Sequence, residues 1–182
     1  VGYKGILYGG FMATKDGVKL IEYNARFGDP ECMNVLAILE SDFAELCQAI
    51  VNGTLTQDHA KFANKATVCK YAVPEGYPDH PVKGQQISVP VIDSSFWLDQ
   101  NPIVNYPPQI YYGAVDQVDG QLLETGSRTI AVVGIGDTIT EAEKIAEQEI
   151  QKIQGPLFHR KDIGTKALIQ KRVEMMKKIR ND

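Results

Sequence analysis

The sequence predicts an α+β fold: a strand hairpin with two helices, followed by a small mixed sheet-and-helix domain. Three observations point to it. Strand-length segments are joined by Asp-Gly turns at Asp16-Gly17 and Asp119-Gly120, where positive φ is easily reached. Apolar stripes at helical spacing follow the first hairpin. A capping box, Thr138-Ile139-Thr140-Glu141, opens a later helix.

Along the chain, Gly5 to Ala13 reads as a strand, Thr14-Lys15-Asp16-Gly17 as its turn, and Val18 to Ile21 as the return strand running into Glu22-Tyr23-Asn24-Ala25-Arg26. Glu31 to Glu40 has helical spacing, and Pro30 before it suits a first turn. Ser41 or Asp42 then caps a second helix that ends at Asn52-Gly53, with Phe43, Leu46, Cys47 and Ile50 as its apolar stripe. Thr54 to Asn64 is polar and without period, which places a boundary near residue 56. Strands are expected at Ala66 to Val73, Gln86 to Val91, Ile110 to Val118, Gln121 to Glu124 and Thr129 to Ile135, with a Pro- and Gly-rich loop over Pro74 to Pro81. The helix opened at Thr138 should bury Ala142, Ile145, Ala146, Ile150 and Ile153 and stop at Gly155-Pro156. Thr165 to Arg180 carries Leu168, Ile169, Val173, Met176 and Ile179 on one face and basic residues on the other, an amphipathic helix. The organisation expected is therefore residues 1–56, 57–164 and 165–182.

Composition narrows the function classes. The 182 residues are 43% hydrophobic and 23% charged, enough for one good core or two small ones. A net charge of -4 argues against a nucleic-acid partner, and no apolar run approaches membrane-spanning length. The three cysteines, Cys32, Cys47 and Cys69, lack paired or Cys-x-x-Cys spacing and read as small buried residues in a reducing, cytoplasmic setting. His59, His80 and His159 are not at ligand spacing and read as solvated or singly bonded surface groups. Arg128 and Arg160 sit beside strand ends or loops, where an ordinary ion pair is as good a reading as a functional one.

The chemistry concentrates in Glu22 to Glu31. Alternation along a strand points Glu22, Asn24 and Arg26 one way and Ile21, Tyr23 and Ala25 the other. A carboxylate and an amide oxygen suit a hard cation such as Mg²⁺, which keeps several waters and is shared with substrate phosphates. Arg26 adds a planar fork for a phosphoryl or acyl-phosphate oxygen. The same pattern also suits a half-buried edge strand with a solvated polar face.

The wider context resembles one family. A Leu-Tyr-x-Gly-x-Met strand (Leu7 to Met12), a Thr-x-Asp-Gly turn (Thr14 to Gly17) and the run Glu22 to Glu31 follow one another as in the ATP-grasp domain of the phosphoribosylamine-glycine ligases. A second block, Phe158-His159-Arg160-Lys161-Asp162-Ile163-Gly164, is similar to a signature near that family's C-terminus. The resemblance implies the end of an ATP-grasp lobe followed by a small C-terminal domain that packs against it and completes the cleft. It further implies an ATP-dependent ligase of purine biosynthesis that joins glycine to 5-phosphoribosylamine through glycyl phosphate. Glu22 and Asn24 would hold Mg²⁺ or Mn²⁺, Arg26 would be catalytic, and Gly28, Asp29, Pro30 and Glu31 would line the substrate. The N-terminal domain, the mobile glycine-rich loop and the phosphate-contacting lysines have no counterpart here. The chain is accordingly expected to be the last two fifths of a longer enzyme and inactive alone. Certain relatives carry a metal-binding Gln where Gly10 stands, which puts two-metal coordination in doubt. Two other readings stay open: a different ATP-grasp carboxylate-amine ligase, and a non-catalytic interaction domain.

Overall fold

The computed structural model describes residues 2–92 and 106–180. Helices and sheets both contribute, as expected of an α+β chain, and they gather into two compact units. One runs to Asn64 and takes in the segment from Ile169; the other is Lys65–Leu168.

The first unit opens with an antiparallel hairpin of β1 (Tyr8–Thr14) and β2 (Gly17–Asn24). Thr14 faces Gly17 across the turn and its hydroxyl donates to the Gly17 carbonyl at 2.7 Å, so the positive φ (98°) falls on the glycine. Gly10 opposes Glu22 whereas Phe11 opposes Leu20, which leaves Ile21 as an extra residue on β2. Beyond that bulge Glu22 and Asn24 stand two apart, opposite Gly10 and Tyr8.

The helix α1 (Glu31–Leu36) is shorter than the expected run to Glu40. Its continuation pairs with another segment instead: Glu40 N–H donates to Lys61 O at 2.9 Å, Ala63 N–H to Ile38 O at 2.8 Å, and Leu39 bridges Phe62. Ser41 is drawn into the same contact, its Oγ accepting from Lys61 N–H at 2.8 Å, so the cap of α2 (Phe43–Asn52) falls to Asp42. Asp42 Oδ1 accepts from Ala44 N–H at 2.7 Å and Glu45 N–H at 3.0 Å, and Gly53 closes the helix in the left-handed region. Of the expected stripe Leu46 is buried and Cys47 and Ile50 are half-buried, but Phe43 is exposed and Ala49 is buried in its place.

The second unit is built on a four-stranded antiparallel sheet in the order β5 (Gln109–Tyr112), β8 (Ile130–Gly136), β3 (Ala66–Pro74), β9 (Leu157–His159). A three-stranded sheet in the order β4 (Gln86–Ile87), β7 (Gln121–Glu124), β6 (Val115–Val118) supplies Ile87, Leu122 and Val115 to one core with Ala72, Ile130, Val132 and Ile150. The expected strand Ile110 to Val118 is thus two strands in two sheets, broken at Gly113, where a Cβ would stand 2.5 Å from Arg128 O. The expected strand from Gln86 keeps two residues, because Ser88 then pairs with Gln154. Asp119 and Gly120 both have positive φ, as the hairpin turn between β6 and β7 requires.

The helix α3 (Ile139–Ile150) starts on the expected box: Glu141 N–H donates to Thr138 Oγ1 at 3.2 Å and Thr138 N–H to Glu141 Oε2 at 3.0 Å. It packs on β8 and β3 at short range, since a Cβ on Gly134 would lie 2.0 Å from Ala142 O and the facing Ala142 and Ala146 are fully buried. The last helix α4 (Lys166–Arg180) is present with Leu168, Met176 and Ile179 half-buried, while Ile169 and Val173 of the expected apolar face are exposed. The cysteines are half-buried and unbridged, less enclosed than expected.

A buried lysine crosses the helix-sheet interface. Lys70 of β3, 1% exposed, donates to Glu143 at 2.7 Å, Glu147 at 2.6 Å and the Lys161 carbonyl at 3.1 Å. His159 Nε2 lies 3.1 Å from both oxygens of Glu147, so this histidine is part of a cluster and not the solvated or singly bonded group expected. Burial alone would raise the Glu147 carboxyl, but hydrogen bonds from Lys70, Gln151 and His159 and the Lys70 charge outweigh it and hold it at about 2 against the usual 4.5. Its folded value being the lower one, the stabilisation is complete above about pH 4.5 and is lost as pH falls towards about 2. Glu147→Gln should therefore flatten the acid limb of a melting-temperature profile across that window.

Candidate active site on the first hairpin

The bulge in β1-β2 brings the polar end of β2 into register with the start of β1. Tyr8 faces Asn24 directly and Gly10 faces Glu22, where a Cβ on residue 10 would stand 3.4 Å from Glu22 Cγ. A side chain at position 10 would therefore lie beside Glu22, and the glycine leaves that space open. Glu22 and Asn24 share one side of β2, with Glu22 exposed and Asn24 half-buried.

Arg26 is not the third member of the alternating strand, because β2 ends at Asn24 and the chain bends at Ala25 and Arg26. Its guanidinium nevertheless returns to the same place. Arg26 Nη2 donates to Asn24 Oδ1 at 3.3 Å, and Nη1 donates to the Phe27 carbonyl at 2.8 Å. Phe27, half-buried, lies 6.2 Å from the Phe43 ring and lines an apolar cavity of about 510 Å³ together with Leu36, Leu46 and Ile50.

The loop Gly28 to Glu31 folds back on the hairpin. Gly28 is buried, and a Cβ there would meet Glu31 Oε2 at 2.5 Å and the Tyr8 ring at 2.8 Å, so a side chain at 28 would have to displace both. Asp29 is exposed, Pro30 precedes α1 as its cap residue, and Glu31 begins that helix. Tyr8 Oη donates to Glu31 Oε1 at 3.0 Å, closing the loop onto β1. That bond and the charge of Glu31, with burial and the charge of Glu22, raise the Tyr8 phenol above its usual value.

The structure thus sets Gly28 and Glu31 against Tyr8, Asn24 opposite it with Glu22 two residues away, and Arg26 on Asn24. Tyr8 is not among the expected site residues, yet the hairpin register across the Asp16-Gly17 turn places it opposite Asn24. Among the described residues no group of three His, Cys, Asp or Glu side chains gathers as a metal site. Elsewhere, Arg160 forms a bidentate ion pair with Asp162 at 3.0 and 2.7 Å, and Arg128 lies over the Tyr71 ring at 5.6 Å. No helix among the described residues is long and apolar enough to cross a membrane.

The family profile described as "Phosphoribosylglycinamide synthetase, C domain" matches residues 67–166, more than half of the 182 residues. The chain belongs to the phosphoribosylglycinamide synthetase family. The profile of the "Phosphoribosylglycinamide synthetase, ATP-grasp (A) domain" matches residues 1–32, which include the hairpin and the loop just described. Among curated relatives, the phosphoribosylamine-glycine ligase of Methanocaldococcus jannaschii is 55% identical over 98% of this chain and 38% of its own length. The ligase of Methanosarcina barkeri is 49% identical over 99% of this chain and 39% of its own. A solved structure of phosphoribosylamine-glycine ligase from Thermotoga maritima matches with a TM-score of 0.67 at 25% identity, covering 86% of this chain and 36% of that one. This member of the phosphoribosylglycinamide synthetase family therefore spans about two fifths of the length of the relatives it matches, and the hairpin site lies within the portion that they share.

Proposed function

We propose that this chain supplies the metal-holding strand end and the C domain of a cytoplasmic phosphoribosylamine-glycine ligase. The reaction consumes ATP, joins glycine to 5-phosphoribosylamine through glycyl phosphate, and yields glycinamide ribonucleotide, ADP and phosphate. The observation that carries this reading is the convergence of Glu22, Asn24 and Arg26 at one strand end, within the segment that matches the family's ATP-grasp domain.

The donor set fits a hard divalent cation. Glu22 offers a carboxylate, and Asn24 Oδ1 retains a lone pair beside its long bond to Arg26. Glu22 and Asn24 would supply two protein oxygens to Mg²⁺ or Mn²⁺, which is enough for an ion whose remaining ligands would come from nucleotide phosphates and water. Such an ion neutralises charge on the transferring phosphoryl group. Arg26, whose contacts here are one neutral amide and one carbonyl, is free in charge to turn its fork to a phosphoryl oxygen. Gly28, Asp29, Pro30 and Glu31 hold glycine, with the Asp29 and Glu31 carboxylates suited to its ammonium group. Positioning and charge neutralisation account for this kind of transfer, and no general base is assigned.

A chimera in which this chain replaces the matching segment of the Methanocaldococcus jannaschii ligase tests the reading. It should sustain ADP formation over many turnovers only when ATP, glycine and 5-phosphoribosylamine are all present. A folded chimera without that dependence would sink it.

Arg26→Lys in the same chimera separates catalysis from support. Lysine keeps the charge and loses the fork, so activity should fall by about tenfold or more while the melting temperature holds. If melting falls and kinetics per folded molecule are unchanged, the catalytic role of Arg26 is wrong.

A further inference from the structure

We propose that Tyr8 is a positioning residue for the reaction: its hydroxyl fixes the Glu31 carboxylate and so holds the Gly28 to Glu31 loop against the strand end carrying Glu22 and Asn24. The inference rests on the ligase reading of that site and adds a residue to it.

Three observations converge. Tyr8 is the cross-strand partner of Asn24, so its place on the hairpin is set by the backbone register. Its hydroxyl reaches Glu31, 23 residues away, and donates to the carboxylate oxygen Oε1 at 3.0 Å. Its ring and the Glu31 carboxylate also crowd the same face of Gly28, where a Cβ would stand 2.8 Å from Tyr8 Cδ2 and 2.5 Å from Glu31 Oε2.

The consequence is mechanical. Glu31 starts a six-residue helix with no buried residue, so its own element does little to fix its side chain. Tyr8 supplies the missing constraint from a paired strand. The glycine at 28 lets the carboxylate fold back that far, and the tyrosine keeps it there. A carboxylate that recognises the glycine ammonium gains from such prior placement, because misplacement by about 1 Å is enough to cost substantial rate.

Tyr8→Phe keeps the ring on Gly28 and removes only the bond. In the chimera it should raise the KM for glycine by about tenfold, the scale of one hydrogen bond to a charged group, with the KM for ATP and the melting temperature unchanged. In a Glu31→Ala background the same change should add nothing, since the partner is gone. A full loss in that background, or an unchanged KM for glycine in the native one, overturns the proposal. Amide hydrogen exchange on the unfused chain gives a reading that needs no activity. The Cys32 amide, which donates to Gly28 O at 3.0 Å, should exchange faster by about tenfold in Tyr8→Phe. An unchanged rate there also counts against it. A chimera that is inactive with Tyr8 in place would instead indict the ligase reading, and the exchange result would still decide whether Tyr8 holds the loop.

Discussion

Glu22→Gln in the chimera is expected to lower turnover by about a hundredfold or more, with a smaller effect on the KM for glycine. The glutamine keeps the shape and an oxygen of the side chain but removes the charge that complements a divalent cation. Glu22 is exposed at the end of β2 and faces Gly10, so nothing in the packing of the hairpin depends on its carboxylate. A loss of turnover therefore would not come from a damaged fold, and an unchanged melting temperature is the control. Near-native turnover at saturating Mg²⁺ would mean that Glu22 is not a metal ligand.

The largest expected effect on stability lies in the second unit, at Lys70. Lys70→Met should destabilise the chain by about 3 kcal/mol, the lower end of the cost of removing one partner from a buried ion pair. The lysine side chain is fully buried, whereas Glu143 and Glu147 remain 18% and 20% exposed and can recover some hydration. That exposure is the reason for choosing the lower end. Replacing Glu143 and Glu147 by Gln in the Lys70→Met chain should recover part of the loss, because two carboxylates without their cation are worse than two amides. Urea unfolding of the variants measures both. A loss below about 0.5 kcal/mol would show that the buried cluster adds no net stability over an apolar side chain.

Much of the architecture was legible because it rests on local chemistry. The Asp16-Gly17 and Asp119-Gly120 turns, the Asp42 and Thr138 caps and the left-handed Gly53 each act over a few residues, and each appears where its sequence signal stands. The errors fall where distant segments compete. The helix from Glu31 stops at Leu36 because residues 38–40 find partners at 61–63, and the run Ile110 to Val118 divides because the chain changes sheets at Gly113. The strand β9 within the Phe158 to Gly164 block is short and owes its place to pairing with β3. Lys70 joins Glu143 across 73 residues, a contact that periodicity cannot show.

At the site, the strand period correctly put Glu22 and Asn24 on one side but carried Arg26 too far along the strand. The bend after Asn24 moved it, and a hydrogen bond to Asn24 brought it back. Gly28 and Glu31 were visible as members of a motif. Their physical relation, a carboxylate folded over the glycine and bonded to Tyr8, crosses from the loop to the first strand, which the motif alone does not show.

The central claim, that the end of β2 holds the divalent cation of an ATP-dependent ligase, is tested most directly by titrating Mn²⁺ into the chimera with ATP and counting free ion by electron paramagnetic resonance. The expected result is Mn²⁺ bound in the presence of ATP with an affinity that falls by about tenfold or more in both Glu22→Gln and Asn24→Ala, while Tyr8→Phe leaves it unchanged. Equal Mn²⁺ binding by the native, Glu22→Gln and Asn24→Ala proteins would contradict the claim.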